Sequence, residues 1–365
     1  MKRAIILVFL TVLWVSVGCV SLATEGESSP GGFETFVEWC IHQDNLPPEA
    51  QHTVGILLAA VETPDCAQAD EQLVAKTELV LDGRAIRDVT PLASLTQLTD
   101  LRLTNNYIVD VAPLARLTNL ATLAISANPI SDVTPLARLT NLQVLFLSGN
   151  RIANIAPLAS LTRLTKLALQ DNQISDVTPL ASLTHLTSLS LINNQIADVT
   201  PLGHLNRLKQ LWLNRNPITD ITALAELTHL ARLFLIETQV TDVTPLAELP
   251  QLDELSLMNN QITDVASFAR LTNLQVLDLD SNAISDVAPL ARLTNLQVLD
   301  LSNNQIVDVT PLGNLTSLKV LSLGHNQITD ATSLGGLTDL LSLSLDGNLL
   351  ASRTCPVQPE TICVF

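Results

Sequence analysis

From Leu79 onward, hydrophobic and polar positions follow one pattern that recurs every 22 residues. It begins with two leucines separated by one residue, as in Leu277 and Leu279, then Leu299 and Leu301. Period two is the spacing of a short strand with one buried face. An asparagine and an isoleucine follow, then an aspartate, a proline segment and the phrase "LTNL". The leading leucine runs from Leu79 to Leu343 in thirteen copies, with no insertion. Each copy is therefore expected to form one strand, one inward turn and one return path.

The asparagine column runs from Asn106 to Asn216, resumes at Asn260 and continues to Asn348. Its amide can both donate to and accept from backbone groups that a turn would leave unpaired. On the return path, Asp or Thr before a proline suits the start of a tight helical turn, where a missing N–H costs nothing. "PLAxLTN" is too short for a long helix, so a 3₁₀ turn on the outer face is expected.

The words "LTNL", "NNQI" and "DVTPLA" resemble the bacterial leucine-rich repeat of the internalins, over about three quarters of the chain. The resemblance implies an α/β solenoid. It would be a right-handed superhelix with a parallel sheet lining its concave face and short 3₁₀ turns on its convex side. Strands about 4.8 Å apart would make the sheet on the order of 60 Å long. No copy has a core alone. Burying each leucine is worth roughly 1.5–3 kcal/mol, realised only against neighbouring copies. Internalins adhere to host receptors, but that role is not carried over. Their downstream immunoglobulin-like region and wall-anchoring signals are not seen in this sequence, and its cysteine-bearing ends depart from the family.

The flanks read differently. "FETFVEWCI" suggests a helix with Phe33, Phe36, Val37, Cys40 and Ile41 on one face, and "PEAQHTVGILLAAV" another with Val54, Leu57, Leu58 and Val61. A third short helix is expected from Asp65. Residues 24–76 would form a helical cap, 77–352 the thirteen repeats and 353–365 a second cap closed by Ile362, Val364 and Phe365. An uncovered terminal repeat would be an aggregation surface.

Residues 1–23 read as an export signal, with Lys2 and Arg3 before an apolar stretch too short to span a membrane. Cleavage could follow "SLA" at Ala23. Alternatively "VSVGC" could act as a lipobox, with Cys19 lipidated and attached to the membrane, although Ser16 stands where leucine is usual. An uncleaved anchor is the third reading. All three place the protein outside the cytoplasm, as a secreted, periplasmic or membrane-anchored envelope protein. Disulfides form in such compartments. The solenoid separates the chain's ends, so Cys40–Cys66 and Cys355–Cys363 are the pairings that geometry allows. Cys40, His42, His52 and Cys66 could instead be a zinc set, but their spacing matches no zinc pattern. No metal or cofactor is expected.

A formal net charge of −17 argues against nucleic acid, whose binders neutralise phosphates with clustered Lys and Arg. Eleven aspartates before the turns supply much of that charge. Because they recur in nearly every copy, with Asn154 the exception, they read as scaffold. Enzyme signatures are absent. His185 and His229 lie two copies apart on the outer face, roughly 10 Å, too far to share a proton or a metal.

A residue present in every copy serves the stack, so a local site needs residues that differ. Between the strand leucines the large side chains are central: Phe146, Trp212 and Phe234. Two positions on come Ile192, Ile236 and Met258. Trp212, Phe234, Ile192, Ile236 and Met258 are expected to form a concave patch, with Arg215, Arg232 and Glu237 at its edge and Phe146 as a further contact. Contiguous exposed apolar residues often mark interaction sites, and Trp and Arg are enriched at hot spots. The expectation is a non-catalytic module that binds a protein, with an unliganded structural envelope component as the alternative. Beside the patch, Glu254, Asp278, Asp280 and Asp300 read as a solvated acidic stretch. The sequence leaves the partner's identity and the oligomeric state open.

Overall fold

In the computed structural model, which describes residues 32–365, the repeats form one parallel sheet of 14 strands in sequence order. Strand β1 spans Glu78–Val80, and one three-residue strand follows in each coil up to β13, Ser342–Ser344. A last strand, β14 (Cys363–Val364), closes the far end. Register is constant: Leu79 pairs with Leu101, Leu101 with Leu123, and so on to Leu321 with Leu343. Twelve five-residue 3₁₀ turns, from Thr90–Ser94 to Thr332–Gly336, lie opposite the sheet. These turns are bulkier than strands about 4.8 Å apart, so the stack curves with the sheet on its concave side.

Each coil fills its own interior. In the coil beginning at Leu299, the side chains of Leu299, Leu301, Ile306, Val309, Leu312, Leu315 and Leu318 are all buried. The asparagine below the strand closes the layer. Asn172 donates from Nδ2 to Leu147 O of the preceding coil and to its own Leu169 O, each at 3.0 Å. Its Oδ1 accepts from Ile152 N, also at 3.0 Å. The residue before this column is left-handed in all thirteen coils, from Gly83 (φ 66°) to Gly347 (φ 67°).

The aspartate column caps the turns. Asp132 Oδ1 accepts from Thr134 N at 2.8 Å, and the same bond recurs at Asp176, Asp198 and Asp330. Asn154 makes it to Ala156 N at 2.9 Å, so the one exception in sequence keeps the bond.

Three helices cover the first coil: α1 (Phe36–Ile41), α2 (Pro48–Ala60) and α3 (Cys66–Val74), the last capped by Asp65. Val54, Leu57 and Val61 are buried as their spacing predicts. In α1 the buried face is Phe36, Trp39 and Cys40, whereas Ile41 is 62% exposed. Positions i, i+3 and i+4 share a helix face, which puts Ile41 on the neighbouring stripe. Phe33 packs edge-on against Trp39 at 5.1 Å between ring centroids. Cys40–Cys66 and Cys355–Cys363 are both bonded, with Cα atoms 5.5 and 5.7 Å apart. At the far end Val357, Ile362 and Phe365 pack on the core, while Val364 faces solvent. Residues Phe33–Phe365 make one compact unit. The export signal and Cys19 lie outside the described residues. No helix among those residues is long and apolar enough to cross a membrane.

Candidate functional site

The concave face presents three side-chain columns: the strand's first residue, its third, and the second residue beyond. Strand β7 (Gln210–Trp212) and strand β8 (Arg232–Phe234) are neighbours, with Trp212 opposite Phe234. The two rings are parallel within 3°, with centroids 5.7 Å apart. Offset stacking of this kind is worth about 0.5–1.5 kcal/mol beyond area burial. Both rings remain half-exposed. Small residues flank the stack: Ser190 pairs with Trp212 on one side, and Ser256 with Phe234 on the other.

Ile192, Ile236 and Met258 occupy the next column and are half-buried. Asn214 interrupts them, but its Oδ1 accepts from Ile236 N at 3.0 Å, so its polarity is directed into the backbone. The five apolar candidates therefore lie within four adjacent coils. Phe146 does not join them. It ends strand β4 (Val144–Phe146), and Ala168 and Ser190 separate it from Trp212 along its column. It stands alone at 37% exposure.

The two candidate arginines lie at opposite ends of the strands. Arg232 begins β8 and pairs with Glu254 at 3.2 Å. Arg215 lies in the turn beyond β7 and reaches Glu237 through two bonds, at 3.1 and 3.3 Å. Exposed pairs contribute little to stability, but here they neutralise the rim. Arg215 and Glu237 both occupy the left-handed position, at φ 56° and 53°. That conformation favours Gly or Asn and costs other residues roughly 1–2 kcal/mol. Sequence reading missed this, although the recurrence of Asn and Gly in that column was a usable signal.

Glu254 leaves the acidic stretch for Arg232. What remains is Asp278, Asp280 and Asp300. Burial pushes the Asp278 carboxyl above the usual range, and the Asp300 and Asp280 charges add to it. The Ser256 hydroxyl, donating at 2.8 Å, and the Asp280 N–H, at 3.1 Å, oppose that rise. Asp280 also accepts from Asn303 Nδ2 at 2.8 Å, and Asp300 from Ser302 N at 2.9 Å. Most of these oxygens are thus occupied by neighbours. Among the described residues, no group of three or more His, Cys, Asp or Glu could hold a metal. The disulfide consumes Cys40 and Cys66, which removes the zinc alternative.

Family models for leucine-rich repeats match residues 140–182, 184–226 and 272–314, and a related repeat model matches 314–331. No curated protein matches the sequence at a significant level. Among solved structures, an internalin (InlF) from Listeria monocytogenes is 36% identical, with a TM-score of 0.80. That match covers 84% of this chain and 94% of the internalin. Internalin C2 from the same organism is 32% identical over 60% of this chain and 89% of its own, with a TM-score of 0.51. The functional domain of InlJ, also from Listeria monocytogenes, shares the fold at 24% identity and a TM-score of 0.56, over 86% of this chain and 75% of its own. Repeat sequence, strand register and the match to InlF agree: this chain belongs to the internalin-type leucine-rich-repeat proteins.

Proposed function

We propose that the protein is a non-catalytic binding module that engages a protein partner on its concave face, centred on Trp212 and Phe234. The observation that carries this reading is the aromatic stack itself. Two large rings stand half-exposed on an open sheet, beside Ile192, Ile236 and Met258 and between ion-paired rims. Exposed apolar surface of this kind is costly in water, and rings at the centre of a neutral rim match the anatomy of a binding hot spot. Beside the stack, Arg215 and Glu237 place an ion pair at the strained left-handed positions.

The protein is also proposed to act outside the cytoplasm. The basic-then-apolar start of the sequence and the two disulfides support this, since disulfides persist in oxidising compartments. Lipidation at Cys19 would then hold the concave face near a membrane. Mass measurement of the mature N-terminus separates a lipidated Cys19 from cleavage after Ala23.

The binding test uses the purified chain as bait against envelope extract and culture medium, beside a Trp212→Ala/Phe234→Ala variant. The expected result is a partner that crosslinks to concave residues between Ser188 and Ser256 of the unaltered chain and is lost by the variant. Equal recovery by both proteins would remove the patch. Recovery of nothing by either would favour an unliganded structural role.

A further inference from the structure

We propose a second site, on the flank of the solenoid, that binds an anionic polysaccharide. Where the return path re-enters the sheet, a groove of about 800 Å³ opens beside strands β6 (Ser188–Ser190), β7 and β8. Its cationic lining is Arg207 and Lys209, with the imidazoles of His204 and His229 beside them. In a chain of net charge −17, that concentration is local and specific.

Two features leave this groove open to a ligand. First, Arg207 and Lys209 lack acid partners, whereas six of the seventeen Lys and Arg among the described residues have one. Arg102 pairs with Asp100 at 3.2 Å, Arg270 with Glu248 at 2.8 Å and Lys319 with Asp339 at 3.5 Å, as the concave arginines pair with Glu237 and Glu254. Among the described residues, Arg207 and Lys209 have no acid within 4.0 Å. Glu226, the one acid in the lining, pairs with neither. Second, Arg207 and His229 occupy the position held in regular coils by the asparagine of "LTNL". That asparagine is scaffold: Asn119, Asn141, Asn273 and Asn295 each donate to a backbone carbonyl of the preceding coil at 2.7–2.9 Å. His185 keeps the bond, Nδ1 to Thr162 O at 3.0 Å. Arg207 and His229 do not, so both side chains line the groove at the expense of a bond that the stack uses elsewhere. Arg163, one coil before His185, extends the basic line toward the N-terminus.

The rest of the lining selects the ligand class. Thr187, Asn206 and Thr228 supply hydroxyls and an amide, and Gly203 replaces the alanine usual in the turns. No Trp, Tyr or Phe lines the groove to anchor a peptide, and protein hot spots are enriched in such aromatic anchors. A sugar chain instead offers hydroxyls to Thr and Asn, flat faces to the imidazoles, and carboxylate or sulfate oxygens to the Arg207 fork. Repulsion from the chain's distant acids is screened beyond about 8 Å at physiological salt, so the local cations govern the contact.

The test measures binding of the full chain at 0.15 M salt to polygalacturonate, dextran sulfate, neutral dextran and polyglutamate. Binding to polygalacturonate or dextran sulfate, and not to neutral dextran, is expected; which of the two binds tells carboxylate from sulfate. Arg207→Glu/Lys209→Glu should weaken it at least tenfold. Arg138→Glu/Arg292→Glu makes the same change in net charge on exposed turn residues and should leave it unchanged, as should Trp212→Ala/Phe234→Ala. The proposal is overturned if neither polysaccharide binds, if polyglutamate binds as tightly, or if either control variant loses binding as the groove variant does.

Discussion

Replacing Asn172 with alanine tests the stacking principle most directly. The Ile152 amide has one partner, Asn172 Oδ1 at 3.0 Å, and Asn172→Ala would leave that buried N–H unpaired. The carbonyls of Leu147 and Leu169 would each lose one donor but keep another, because Asn150 and Asn194 also donate to them at 2.9 and 3.0 Å. An orphaned buried donor costs about 1–3 kcal/mol, and each lost but replaceable bond somewhat under 1 kcal/mol. The sum is about 3 kcal/mol, or on the order of 100-fold in the local opening equilibrium. Stability in a solenoid is a sum over neighbouring coils, so the effect should stay local, and hydrogen exchange over residues 148–174 is the right assay. The chain contains its own comparison. Thr238 stands where the asparagine should be, and Ile218 N turns instead to Asn216 O at 2.8 Å. Asn172→Thr should therefore cost less than Asn172→Ala, and Thr238→Asn should slow exchange around Ile218. If exchange at Ile152 changes less than threefold in Asn172→Ala, the asparagine ladder does not hold the coils together.

Three further outcomes are expected. Seven turn aspartates (Asp132, Asp176, Asp198, Asp220, Asp242, Asp308 and Asp330) are held below the usual carboxylate range by the threonine hydroxyl and N–H that each accepts from. Their folded values lie below their unfolded ones, so this stabilisation is complete above the ordinary aspartate range and is lost as pH falls through the lowered values; the urea midpoint should drop below about pH 4, and a flat midpoint down to pH 3 would contradict it. A methyl group on Gly203 would lie 2.9 Å from Ala223 O, so Gly203→Ala should cost about 1–3 kcal/mol, and a second change, Ala223→Pro, should recover part of it in thermal melts by restoring the regular turn. Cys40→Ser/Cys66→Ser opens a 26-residue separation, which loop entropy values at about 3.5 kcal/mol; the cap should melt before the repeats, and fluorescence from the buried Trp39 should report it as a separate first transition.

Most of the architecture was legible because the sequence states it thirteen times. Leucine spacing gave the strands, the asparagine column the turns, and the separation of the chain's ends the two disulfides. Legibility failed where a side chain's direction or reach decides the contact. Glu254 reads as part of an acidic stretch by position, yet it is long enough to meet Arg232 on the adjacent strand. Ile41 looks like core by hydrophobicity, but α1 rolls to bury Trp39. Phe146 shares a column with Trp212, and only counting strands shows that two small residues separate them. The basic residues of the flank look scattered because the groove collects them from two successive return paths.

Several irregularities meet in the central coils. Proline is absent from the turn at Ala223, where the entry residue Ile221 has φ −117°, against −105° at the regular Val177. Thr238 replaces asparagine, Arg215 and Glu237 occupy the left-handed column, and Arg207 and His229 give up the asparagine bond. Each departure weakens the stack by a different physical route: backbone entry angle, side-chain hydrogen bonding, or torsional strain. Single departures occur elsewhere too: proline is also missing at Ser267 and Ser333, and Asp171 and His325 also stand in the left-handed column. Several kinds occur together in the coils that expose the Trp212–Phe234 stack and the unpaired Arg207 and Lys209. In a stack whose stability is nearly additive, the middle can tolerate such losses because regular coils flank it on both sides. The same position gives a ligand the longest continuous surface to span. For Arg207, Arg215, His229 and Glu237 the cost in stability and the surface chemistry are two consequences of the same residues, which fits the proposed binding role.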